Sequence, residues 1–119
     1  MLKYMKIDNG KAVESETDGP VLLYICPDEA ERKQLVEQFG IDEHTLASAM
    51  DPDELARVEF EPDHAALIIK RARRYNTEDR YLFRVCSTGL CLFADRLVIV
   101  APDDGAVFAG KPFLKVFSL

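Results

Sequence analysis

Residues 21–26, "VLLYIC", form an unbroken apolar run of strand length. The run does not alternate, so it has no polar side to offer to water. Such a strand needs cover on both faces, which places it in the interior of a sheet. Pro27 stops it, and a helix signal follows at once. Asp28 is a good N-cap, and Glu31, three residues on, completes a capping box. Ala30, Leu35, Val36 and Phe39 then gather toward one side of a helix, and Gly40 supplies a C-terminal stop.

The rest of the chain fits around this unit. "LKYMKI" and "KAVESE" flank Asn9-Gly10, a strong hairpin-turn signal, and "ETDGP" breaks the pattern before the central strand. A second helix, "EHTLASAM", starts at the N-cap Asp42, with Ile41 and Leu46 placed as a hydrophobic staple. After "DPDE" the period changes to two. "ARVEFE" alternates, with Val58 and Phe60 on one face. "AALIIKRA" and "YLFRV" read as strands on either side of a polar loop, "YNTEDR". "GLCLF" and "RLVIV" read as a hairpin across "ADR", and "VFAG" with "FLKVF" leaves room for a last edge strand. The fold class expected is α/β, a mixed sheet of about six or seven strands with two or three helices packed against it. Val58, Phe60, Leu67, Ile69, Phe83, Val98 and Val100 are expected in its core.

At 119 residues this is one domain, and 48% apolar residues suffice for a core. No stretch approaches the roughly 20 apolar residues that cross a bilayer, and the N-terminus lacks a signal core. The chain as given reads as soluble and cytosolic. A net charge of −6 disfavours binding to duplex nucleic acid or to anionic lipid. Cys26, Cys86 and Cys91 form no C-x-x-C pair and sit in or beside apolar runs, as buried structural thiols do. His44 and His64 keep no ligand spacing to them, and His44 is expected on an exposed first helical turn.

The motif search excludes several chemistries. There is no G-x-G-x-x-G, no P-loop and no G-x-S-x-G. No Cys/His set has zinc spacing. Acid pairs are plentiful, but 21 acids in one short chain create them by chance. Lys70, Arg71, Arg73 and Arg74 read as a solvated or salt-bridged face, meeting acids across a strand or a subunit contact.

One segment resembles a known family. "RVEFEPDHAALIIK" is similar to the first sheet signature in the cytoplasmic N-terminal domain of CorA-type magnesium and cobalt transporters. The matching positions are Arg57, Val58, Glu59 and Phe60, leading into the strand at 65–70. "GLCLFADRLVIV" resembles the family's later strand-turn-strand. Phe39, Ile41 and Asp53-Glu54-Leu55 fit its helical segment, while Ala56 stands where proline is usual. The likeness covers residues 20–102 or so.

The resemblance implies a single cytoplasmic N-terminal domain over 1–119, a fragment lacking the stalk and pore helices of a longer membrane protein. It implies a regulatory, Mg²⁺-sensing role rather than an enzyme. In the family, Mg²⁺ sits between neighbouring subunits of a homopentamer on the cytoplasmic side of the inner membrane, and holds the pore closed. The loop at 75–80 corresponds to one that contributes an acid to that contact, so Glu78 and Asp79 are the candidate metal ligands. Mg²⁺ keeps several waters and needs only one or two carboxylates from each side. "NTED" also reads as a plain turn, with Asn and Asp serving the backbone. Two other readings stay open: a free-standing interaction or ligand-binding module, and a small metal-dependent hydrolase. Without stalk and pore, the chain alone is expected to be a monomer or weak dimer.

Overall fold

The structure, a computed structural model, describes residues 1–77 and 80–102, with the strand backbone alone over 71–77 and 80–85. Asn9 and Gly10 both take positive φ, 51° and 72°, the conformation a two-residue hairpin turn requires. They join β1 (Leu2–Asp8) to an antiparallel β2 (Lys11–Ser15). The apolar run becomes β3 (Val21–Ile25), with all five residues buried. It lies between β1, which is antiparallel to it, and β7 (Leu97–Ala101), which is parallel. The remaining strands are β4 (Arg57–Phe60), β5 (His64–Thr77) and β6 (Arg80–Phe93). The seven strands form one mixed sheet in the order β2-β1-β3-β7-β6-β5-β4, with two helices against it.

The helices start where their caps are. In α1 (Glu29–Glu37) the Asp28 carboxylate accepts from the Glu31 N–H at 2.8 Å, and Glu31 returns the contact to the Asp28 N–H at 3.2 Å. Gly40, at φ 67°, ends the turn and donates to the Val36 carbonyl. In α2 (Glu43–Met50) Asp42 caps the His44 N–H, and Ile41 and Leu46 are both buried as a staple requires. Since α1 has no cation in its last turn, its capping box carries much of its local stability. Asp28→Ala is expected to cost about 1 kcal/mol in urea unfolding, with an unchanged m-value.

The core lies between the helices and one sheet face: Leu22, Tyr24, Leu35, Ile41, Leu46, Ile68, Val98 and Val100 form one cluster. Val21, Leu23, Ile25 and Ile99 form another on the opposite face. Val98 and Val100 are buried as expected. Val58 and Phe60 are not: they are 52% and 83% exposed. Their alternation is real, but β4 is the edge strand, and it turns Arg57 and Glu59 toward α2 instead. Leu67 and Ile69 share the Val58 face and are half-buried, while the Phe83 side chain lies outside the described residues. Ala30 is exposed, and α1 buries Leu35 alone.

The expected strands "YLFRV" and "GLCLF" are one continuous strand, β6. The expected loop at 75–80 gives up Tyr75–Thr77 to β5 and Arg80 to β6, because the fourteen cross-strand pairs run without a slip from His64↔Phe93 to Thr77↔Arg80. The "VFAG" and "FLKVF" segments lie outside the described residues. Cys91 is buried, and desolvation pushes its thiol up to about 11. Cys26 corrects the expectation of buried thiols. It is exposed, at φ 45°, where the chain turns after β3 while its N–H bonds the Ala101 carbonyl at 2.8 Å.

Candidate functional site

Two periodicities bring the most organised polar cluster together. Thr45 and Ser48, three apart, share a face of α2, and Arg57 and Glu59, two apart, share a face of β4. These faces meet. The Arg57 Nε donates to Glu59 Oε1 at 2.7 Å, its Nη2 donates to Ser48 Oγ at 2.9 Å, and its Nη1 pairs closely with Glu54. Thr45 Oγ1 donates to Glu59 Oε2 at 3.1 Å, and Ser48 Oγ donates to the His44 carbonyl at 2.8 Å. The Arg57 hydrogen bond, then that of Thr45, hold the Glu59 carboxyl below the usual carboxylate range. Glu59 in turn raises the Arg57 guanidinium above its ordinary value. Both Glu59 oxygens are engaged, so the cluster clamps helix to strand and presents no free base. Reading the sequence for acid pairs passed over Glu54 and Glu59 as chance; the basic residue between them was the signal.

The loop after α2 is tied down beside it. Lys70 Nζ donates to the Pro52 carbonyl at 2.7 Å and to Ser87 Oγ at 2.8 Å, and Ser87 Oγ donates to the Asp51 carbonyl at 2.5 Å. Lys70 is thus a structural tether between β5, β6 and the loop after α2. Glu78 and Asp79, the expected metal ligands, lie outside the described residues. The strands beside them are paired as far as Thr77 and Arg80. Among the described residues no group of three or more His, Cys, Asp or Glu side chains is placed to hold a metal ion. His44 is exposed, as expected. The His64 ring is buried, lies 2.7 Å from Asp63 through Nδ1, and stacks on Phe93 at 4.8 Å.

A cleft of about 830 Å³ opens between the β1–β2 hairpin, α1 and the β6–β7 turn. Tyr4, Lys6, Asp18, Gln34, Phe39 and Arg96 contribute to its walls. Its two cations have acidic partners: Lys6 reaches Asp18 at 4.0 Å, and Arg96 pairs with Asp95 at 3.1 Å while lying over the Phe39 ring. The hydroxyl of Tyr24 donates to Gln34 at 3.1 Å. Burial first, then Tyr4 and Glu31, push that phenol up to about 12. Its raised folded-state pKa stabilises the fold below pH 10 and loses that contribution as pH rises through 12. Wild type should therefore lose roughly 2 kcal/mol more than Tyr24→Phe between pH 9 and 12. Urea melts at stepped pH measure the difference.

The described residues thus form an α/β domain, a seven-stranded mixed sheet with two helices packed against it. The same architecture is found in solved structures. The soluble domain of CorA from Methanocaldococcus jannaschii superposes with a TM-score of 0.61 at 19% identity, covering 95% of this chain and 48% of that one. The complete CorA magnesium transporter from the same organism superposes with a TM-score of 0.58 at 18% identity, covering 87% of this chain and 32% of that one. The chain thus has the fold of the CorA soluble domain and spans about a third of the whole transporter's length. No protein-family model matches it, and no curated protein sequence matches it. No helix among the described residues is long and apolar enough to cross a membrane.

Proposed function

We propose that this chain is the cytoplasmic regulatory domain of a CorA-like divalent cation (Mg²⁺/Co²⁺) transporter, sensing Mg²⁺ at contacts between neighbouring subunits of a homopentamer. The observation that carries the reading is the superposition on a CorA soluble domain over 95% of the chain. The Arg57–Glu59 pair fixes α2 on the sheet edge and engages both Glu59 oxygens within the domain. Glu78 and Asp79 are the proposed half-site. Clustered carboxylates repel across a subunit contact, and a bridging cation cancels that repulsion.

One half-site cannot offset the cost of dehydrating Mg²⁺. The isolated chain should therefore bind it with a dissociation constant on the order of millimolar or weaker. Titration of the isolated chain by NMR checks this, and micromolar binding there would contradict a shared site. In the assembled transporter, Asp79→Ala and Glu78→Ala should weaken the protection from proteolysis that Mg²⁺ confers. Identical protection curves for wild type, both single variants and the double variant would remove these acids from the sensor.

A further inference from the structure

The cleft between the β1–β2 hairpin, α1 and the β6–β7 turn has walls that are tied together. A Cβ on Gly19 would collide with the Met5 carbonyl, so the chain at 18–20 is pressed against β1. The Pro20 carbonyl accepts from the Leu97 N–H at 2.8 Å, and the Arg96 carbonyl accepts from the Phe93 N–H at 2.8 Å. These bonds fix the β6–β7 turn against the chain entering β3. At about 830 Å³ the cleft falls in the size range of small-molecule sites.

A directed chain of hydrogen bonds ends at its wall. Tyr24 is fully buried, and burial pushes its phenol up, so the group stays an O–H donor at neutral pH. A buried hydroxyl needs an acceptor, and among the described residues that acceptor is Gln34 Oε1. The Gln34 amide is therefore turned with its oxygen inward and its nitrogen outward. Gln34 Nε2 donates in turn to Gln38 Oε1 at 3.3 Å, one helical turn on. What Gln38 has left to offer is its NH₂, a pure donor. Reversing both amides would leave the Tyr24 O–H without an acceptor among the described residues.

The cations in the walls have donors to spare. Arg96 spends Nε and one Nη2 hydrogen on Asp95, at 3.2 and 3.1 Å, and keeps three N–H groups. Its guanidinium lies 5.2 Å from the centre of the Phe39 ring, and Phe39 follows Gln38 directly, so fork and amide share a wall. Lys6 and Asp18 are 4.0 Å apart and both exposed, a loose pair. Tyr4, Leu22 and Phe39 add apolar surface. Donors beside an apolar floor complement a small organic anion. Charge sets its valence. Lys6 and Arg96 are balanced by Asp18 and Asp95, in a chain of net charge −6, so a polyphosphate would stay uncompensated. A single carboxylate matches one guanidinium fork.

We propose that this cleft binds a small monocarboxylate with a flat apolar body, its carboxylate held by Arg96 and Gln38 and drawn in by Lys6. The site is separate from the Mg²⁺ half-site and stands whether or not the chain serves a transporter.

NMR titration of the isotope-labelled 119-residue chain with benzoate tests it, with benzamide as the neutral isostere and ATP as the polyanion. Benzoate should bind with a dissociation constant on the order of millimolar, as so small a probe allows, and shift the Gln38 side-chain NH₂ and the Tyr4 and Phe39 amides. Benzamide should bind at least about fivefold more weakly, since it lacks the charge that strengthens the hydrogen bonds. Arg96→Gln and Gln38→Leu should each weaken benzoate about threefold or more, and Arg96→Lys should lose nearly as much as Arg96→Gln, because it keeps the charge without the fork. Lys33→Gln, an exposed cation of α1 outside the cleft, should change nothing. If Arg96→Gln shifts amides far from the cleft, the exposed Gln38→Leu decides. Absence of shifts at cleft residues up to about 20 mM benzoate overturns the proposal. So do equal affinities for benzoate and benzamide, or binding that Arg96→Gln and Gln38→Leu leave unchanged. ATP binding more tightly than benzoate in the cleft overturns its single-charge selectivity.

Discussion

Replacing Gly89 by alanine should destabilise the domain by about 2–3 kcal/mol, and by valine enough to leave much of it unfolded at room temperature. Gly89 sits in β6 under α2, and a Cβ built there lies 2.7 Å from the Cβ of Ala49. That separation is far inside van der Waals contact. Ala49 is 2% exposed and its Cα is 3.8 Å from the same point, so the clash falls on a short side chain that cannot swing aside and is relieved only by moving backbone. α2 must lift off the sheet, and the Thr45–Glu59 and Ser48–Arg57 contacts go with it. The mechanism makes a second, sharper claim. Ala49→Gly in the Gly89→Ala background should recover more than about 1 kcal/mol, although glycine alone costs a helix about that much. A double-mutant cycle by urea unfolding measures it, and additive effects would remove the clash as the cause.

Leu35→Ala should cost about 3 kcal/mol, for a different reason. Leu35 is fully buried and is the one fully buried side chain of α1, so its cavity opens at the helix's main anchor in the core. Val36 and Phe39 are only partly covered beside it. A nine-residue helix is marginal by itself, so its order depends on that tertiary contact. Hydrogen exchange should show α1 amides losing protection more than those of β3. Uniform loss across sheet and helix would mean that α1 does not open separately.

Much of this architecture was legible in local chemistry. The Asn9-Gly10 turn, the Asp28–Glu31 capping box, the Asp42 cap with its Ile41–Leu46 staple and the buried run of β3 all depend on residues within a few positions of one another. Short-range sterics and hydrogen bonding decide such features before any packing occurs. The mixed α/β class followed from them, whereas the likeness to the CorA soluble domain rested on the strand segments at 57–70 and 89–100.

What the tertiary structure alone decided was direction and company. Alternation in β4 announced two faces, but strand order put it at the edge, so Val58 and Phe60 face out while Arg57 and Glu59 face in. A period of two says that faces differ, not which of them another element will cover. The clamp joining Arg57 to Glu59, Thr45 and Ser48 likewise needs a helix and a strand to meet, and nothing in either segment names the other. The same holds for the β5–β6 pairing, where segments read as two strands and a loop became one unbroken register of fourteen pairs. Local free energies write the elements, whereas pairing across long separations is settled by the burial and charge of the whole sheet.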